Sequence, residues 1–214
     1  MVDTSRAAAV ALGTRLEVVT VVWMAAEAAV ALIAGLMARS VLLGAFGFDS
    51  VIELMSGLVL LWRLSAESRG GGMTGGGEIE KIERAEHTTT RVSAALLLAL
   101  CAFVVVSSGA GLITGFKPEG SLLGIGVAGV AVVAMPALAL GKARANRIIG
   151  SAALRADIAE TTTCAYMAGV TLLGVASSMV FGLWWVQYLF ALALLIWLVP
   201  ETREAFEAAR TSHR

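Results

Sequence analysis

Charge is scarce in this 214-residue chain: Asp, Glu, Lys and Arg together make up 15% of it, against about 25% in a soluble domain. So few charges cannot cover the surface of a water-soluble globule. Sixteen basic residues cancel sixteen acidic ones, so no overall charge points to a nucleic-acid partner or an acidic substrate. Cysteine is nearly missing as well. Cys101 and Cys164 both sit inside apolar runs, which excludes a disulfide-framed secreted fold and a CxxC zinc module. Histidine is missing from the apolar runs, since His87 and His213 both lie in charged stretches. No Ser/His or Cys/His arrangement is therefore on offer for nucleophilic catalysis there, and an enzyme is not expected. The apolar runs also lack the period-2 alternation of a transmembrane barrel.

Apolar sequence is what the chain has in excess, at 58% against about 45–50% in soluble domains. A membrane-crossing helix needs about 20 predominantly apolar residues, because the hydrocarbon core is about 30 Å thick and each residue rises about 1.5 Å. Six segments meet that need: Val18–Met37, Val41–Leu61, Val92–Ile113, Leu122–Leu140, Ile158–Val180 and Leu183–Val199. The expected fold is all-α, a polytopic membrane protein with six transmembrane helices. Residues 1–15 form an N-terminal segment, 16–199 a single six-helix domain with a glycine-rich loop at 66–80, and 200–214 a short tail. The first segment is too long for a signal-peptide core and reads as an uncleaved span, with the mature chain beginning near Met1.

Orientation follows from basic residues, which are in excess on the cytoplasmic side. With the N-terminus inside, thirteen of the sixteen Lys and Arg residues, Lys142 among them, are cytoplasmic. Only Arg39 and Lys117 then lie outside, and Arg155 sits just within the fifth helix. Both termini are expected in the cytoplasm, in the cytoplasmic membrane of a prokaryote. The glycines of Arg69–Gly77 make a flexible tether, and Glu78–His87 is a charged helical lead into the third span. Pro136 is expected to kink or locally unwind the fourth helix, and Pro200 to end the sixth membrane span.

Ionisable side chains inside a bilayer cost about 2.5–3.5 kcal/mol each on insertion scales, so several of them ask for a reason. Five acids meet that description: Glu27, Asp49, Glu53, Asp157 and Glu160. The spacing of Asp49 and Glu53 puts both carboxylates on one helix face, and Glu160 and Cys164 share that spacing. Counting the rise from opposite faces places the first pair roughly 12 and 18 Å deep and the second roughly 15 and 21 Å deep. The pairs meet near the midplane if the two helices are neighbours. Three carboxylates and a thiolate form a plausible four-ligand set for a divalent metal, and the single sulfur favours zinc, cobalt or cadmium over magnesium or manganese.

The stretches Phe46–Leu64 (FGFDSVIELMSGLVLLWRL) and Ser151–Gly174 (SAALRADIAETTTCAYMAGVTLLG) resemble the second and fifth transmembrane helices of cation diffusion facilitators. In that family an acid-x-x-x-acid pair and a His/Asp-x-x-x-Asp pair form the transport site. Asp49 and Glu53 fall on the first pair, Glu160 on the His/Asp position and Cys164 on the last Asp. The resemblance runs over Leu16–Val199 and implies export of a divalent cation such as zinc in exchange for protons, by a homodimer with cytoplasmic termini and no permanently bound cofactor. Three departures stand out: Cys164 replaces a carboxylate, Glu53 replaces a usual Asp, and Gln187 stands where many members carry an acid. The similarity is to the small subgroup without the cytoplasmic C-terminal metal-binding domain, so the dimer is expected to be held by membrane helices. Small residues in Ser107–Gly115 would allow close helix approach, within one chain or between two.

Other roles stay open for several residues. Cys164 is either a ligand or an apolar packer. Asp157 either pairs with Arg155 or lines the inner entrance as a secondary ligand. Glu27 is a proton relay, a link to a neighbouring helix, or both. His87, with the acids around it, either binds metal transiently or belongs to a solvated face. Two other functions compete with transport: a non-transporting membrane metal sensor or assembly partner, and an intramembrane metal-dependent enzyme.

Overall fold

The structure, a computed structural model, describes residues 2–68 and 76–211. Six α-helices follow one another: α1 (Val2–Ala38), α2 (Val41–Ser68), α3 (Gly76–Thr114), α4 (Leu122–Ile149), α5 (Ala152–Phe181) and α6 (Val186–Thr211). No strand occurs among the described residues. Five helical stretches are long and apolar enough to cross a membrane: Ala8–Ala38, Val41–Arg63, Thr88–Thr114, Leu122–Ile149 and Leu154–Phe181. α6 is not among them, because its apolar run starts only at Val186 and gives way at Pro200 to Glu201, Arg203 and Glu204.

Two of the expected span ends change. The first apolar segment begins after Glu17 and the fourth stops short of Lys142, yet α1 and α4 run on through both positions, and α5 carries Asp157 in its second turn. Lys142 Nζ lies 2.8 Å from Glu17 Oε2 and 2.6 Å from Asp157 Oδ2, with both Lys142 and Glu17 fully buried. Lys142 is the shared counter-charge of the two carboxylates and joins α1, α4 and α5 at this level. The apolar run of α6 stops at Pro200, as expected, but the helix itself runs on to Thr211. A proline removes one intrahelical hydrogen bond, and beyond it the helix resumes, with Thr202 Oγ1 donating to the Leu198 carbonyl at 2.6 Å. Pro136 lies within continuous α4. Of the expected glycine tether, residues 69–75 fall outside the described residues, and Gly76 and Gly77 begin α3.

α2 is the hub of the bundle, packing on α1, α3, α5 and α6, while α4 packs on α1 and α5. Its contact with α1 is backbone on backbone. A Cβ added at Gly35 would lie 2.8 Å from the Gly44 nitrogen, and one at Gly47 would lie 2.9 Å from the Leu32 nitrogen. Neither neighbour is a side chain that could swing away. Gly35→Ala is therefore expected to destabilise the chain by about 1–3 kcal/mol through overpacking, read as a lowered midpoint of thermal unfolding in detergent. In the Ser107–Gly115 strip, Gly111 is used inside the chain: a Cβ there would strike the Tyr188 ring of α6.

Polar groups tie the helices together at the end that carries the α1–α2, α3–α4 and α5–α6 turns. Gln187 Nε2 donates to Ser178 Oγ at 3.0 Å, and Ser40 Oγ donates to Gln187 Oε1 at 2.7 Å. Tyr188 OH donates to the Phe116 carbonyl at 2.9 Å. Gln187 thus joins α2, α5 and α6 at this end, well away from the acids deeper in the bundle. At the opposite end Ser151 caps α5, and the Asn146 side chain brackets Ser151 with two hydrogen bonds, fixing the α4–α5 turn.

Candidate functional site

The acids of α2 point into the interior of the bundle. Asp49 is 1% exposed and Glu53 3%, as expected for two positions on one face of the central helix. No hydrogen bond reaches any of their four carboxylate oxygens. Buried polar atoms are nearly always satisfied, so four orphaned oxygens on adjacent turns are the most unusual polar feature among the described residues. Glu27 of α1 is treated differently. It accepts from Ser50 Oγ at 2.9 Å, from the Trp23 indole and from the Cys164 thiol at 3.4 Å, which makes it a link between α1, α2 and α5.

The α5 residues reach the same region. Cys164 is fully buried and its hydrogen bond runs to Glu27 Oε1, while Glu160 accepts from Ser56 Oγ at 3.0 Å. Asp49, Glu53, Glu160, Glu27 and Glu201 of α6 act on one another electrostatically, as one acidic cluster. Among the described residues, however, no three His, Cys, Asp or Glu side chains stand close enough to hold a metal ion as they are arranged. Cys164 donates to Glu27, with Glu53 also close to it, and Ser56 donates to Glu160, which leaves Asp49 and Glu53 as the carboxylates with neither oxygen in a hydrogen bond of good geometry. Asp157 pairs with Lys142 and not with Arg155, which is exposed, and it lines the smaller cavity at the entrance. The side chain of His87 lies outside the described residues.

Cavities reach the cluster from one end, touching Glu53, Glu160 and Glu201 but not Asp49. A cavity of about 660 Å³ opens between α2, α3, α5 and α6 and is lined by Glu53, Glu160, Glu201 and Glu204. A smaller one of about 250 Å³ shares Ser56, Thr89 and Glu160 with it and reaches Asp157 and Arg63. Together they form a vestibule at the end carrying the α2–α3 and α4–α5 connections. Asp49 lies behind it. Glu201, one residue beyond Pro200, has its carboxyl pushed up to about 7 by burial, with Glu204 adding to the effect.

Sequence reasoning missed Lys142, Glu17 and Glu201. Lys142 was counted among the cytoplasmic basic residues, yet it is 0% exposed. The signal for the triad lay in the pattern itself, because three helices each carry one charge within a turn or two of the same membrane face. Glu201 offered no such signal, standing in a charged tail after a proline. No family model matches the chain, and no curated protein matches it.

Proposed function

We propose that the chain is a metal/proton antiporter of the cell membrane, which exports a divalent transition-metal ion, zinc, cobalt or cadmium, through the α2–α5 acids. All six helices cross the membrane in this reading, α6 with its run Val186–Val199, and both termini are cytoplasmic. Basic residues support the orientation: with Lys142 withdrawn as buried, ten of the fourteen Lys and Arg among the described residues still fall on the vestibule side. The vestibule then faces the cytoplasm, and the Gln187 and Tyr188 hydrogen bonds lie toward the outside. The protein works as a homodimer through its membrane helices, with Gly109 and Gly115 available for contact, since a Cβ at either would meet nothing within 4 Å in the chain.

The observation that carries the reading is the orphaned carboxylate pair, of which Glu53 lines the inner end of a vestibule large enough to hold water. A dication entering there meets Asp49 and Glu53 unobstructed by hydrogen bonds. Glu160 and Cys164 join when Ser56 and Glu27 release them, which couples ligation to movement of α5 against α1 and α2, the kind of helix shift that alternating access requires. Ligands bind metal deprotonated, so arriving metal drives protons off, and protons return when the metal leaves. The bound ion is the cargo. Uptake of zinc, cobalt and manganese into sealed vesicles holding the purified chain tests this. Binding without flux would instead fit a non-transporting sensor.

Cys164 gives a sharper test of the ligand set. Cys164→Ser keeps a donor for Glu27 and removes only the soft sulfur, so zinc and cadmium affinity should fall about 10-fold or more while manganese is little changed. Equal effects on all ions, or none, would leave Cys164 as the Glu27 partner alone.

A further inference from the structure

We propose that the vestibule carries an outer cation station, where Glu201 of α6, with Glu160 and Glu204, holds a divalent cation still in its water shell before it reaches Asp49 and Glu53. The inference rests on the transport reading and adds a residue from a third helix to it. Glu201 Oε2 is buried and has no hydrogen-bond partner, and Glu53, 3% exposed with both carboxylate oxygens unpartnered, lines the same cavity. The cavity wall includes four glutamates and, among the described residues, no Lys, Arg or His. Lys142, the buried cation nearest the cluster, is occupied by Glu17 and Asp157, and Arg63 lines the smaller cavity. The wall therefore concentrates negative charge facing water.

Size decides how the ion is held. At roughly 30 Å³ per water, a cation with six waters occupies roughly 200 Å³, and the cavity offers about 660 Å³. A bare ion could not touch several walls of such a space, in keeping with no three ligands being gathered among the described residues. A hydrated ion can, through water bridges to the carboxylates and to hydroxyls such as Ser93, whose oxygen also lacks a partner. A station of that kind reads charge and not ligand softness, so it collects all divalent ions alike. Selection is left to the deeper site, where the ion sheds its water.

The test uses the full chain in sealed vesicles and in lipid nanodiscs. Glu201→Gln should raise the KM for zinc, cobalt and manganese flux by about tenfold each, the lower end of what focused charge supplies, with kcat little changed. Glu201→Asp, which restores the charge, should bring KM back. Manganese alone, titrated into the wild-type chain and followed by electron paramagnetic resonance, should show two sites, one keeping nearly its full water complement. This second measurement decides the matter if Glu201→Gln does not fold. Wild-type flux with a KM unmoved by Glu201→Gln, a change in zinc KM alone, or a single manganese site would overturn the station while leaving the transport reading intact. No flux from the wild-type chain would overturn the transport reading and the station with it.

Discussion

Asp49→Ala and Glu53→Ala are each expected to abolish metal flux while leaving a folded, helical chain. The effect on kcat/KM should be at least about 100-fold, since even groups that only orient metal ligands are worth about 10–100-fold. Folding is spared for a specific reason. Neither carboxylate has a hydrogen bond to lose, and removing an unpaired buried acid relieves a desolvation cost. Glu27→Ala makes the contrast, because it strands the Trp23 and Cys164 donors, Ser50 keeping the Phe46 carbonyl, at about 1–3 kcal/mol for each buried group left unsatisfied. Flux in vesicles and thermal unfolding in detergent, measured on the same three variants, separate the two roles. Retained flux in Asp49→Ala would remove that residue from the transport site.

The second large effect concerns the Glu17–Lys142–Asp157 triad. Lys142→Met should cost about 3–5 kcal/mol, because it leaves two carboxylates buried without their shared counter-charge. The charge-free triple variant Glu17→Gln, Lys142→Met, Asp157→Asn should recover most of that loss, since an apolar or neutral replacement of a buried ion group is often nearly neutral in stability. Unfolding midpoints and the yield of membrane-inserted protein measure both. If Lys142→Met alone unfolds like wild type, the triad does not hold α1, α4 and α5 together.

How far these features can be read from the residues depends on the distance over which the chain sets them. Asp49 and Glu53 share a face because 3.6 residues per turn leave no choice, and the same periodicity aligns Glu160 with Cys164. The six helices are legible for a similar reason, since bilayer thickness fixes the length of an apolar run. Lys142 is not legible in that way. A charge at the edge of an apolar run reads as the end of a span unless its partners are known, and those partners come from α1 and α5 through packing. Cys164 is a mixed case: its spacing places it beside Glu160, but only the approach of α1 brings it to Glu27. Glu201 reaches the vestibule because α6 continues through Pro200, a continuation that the tertiary contacts of α6 with α3 and α5 support and that local propensity argues against.

The most direct test of metal/proton exchange is metal uptake into sealed, inside-out vesicles with a pH indicator present. Zinc or cobalt entering the vesicles should drive protons out in proportion, an imposed proton gradient, acid inside, should speed uptake, and metal affinity should fall steeply as pH drops from about 7.5 to 6 because the ligands bind deprotonated. Metal that binds with no proton release, or that crosses the membrane without moving protons, would contradict the account.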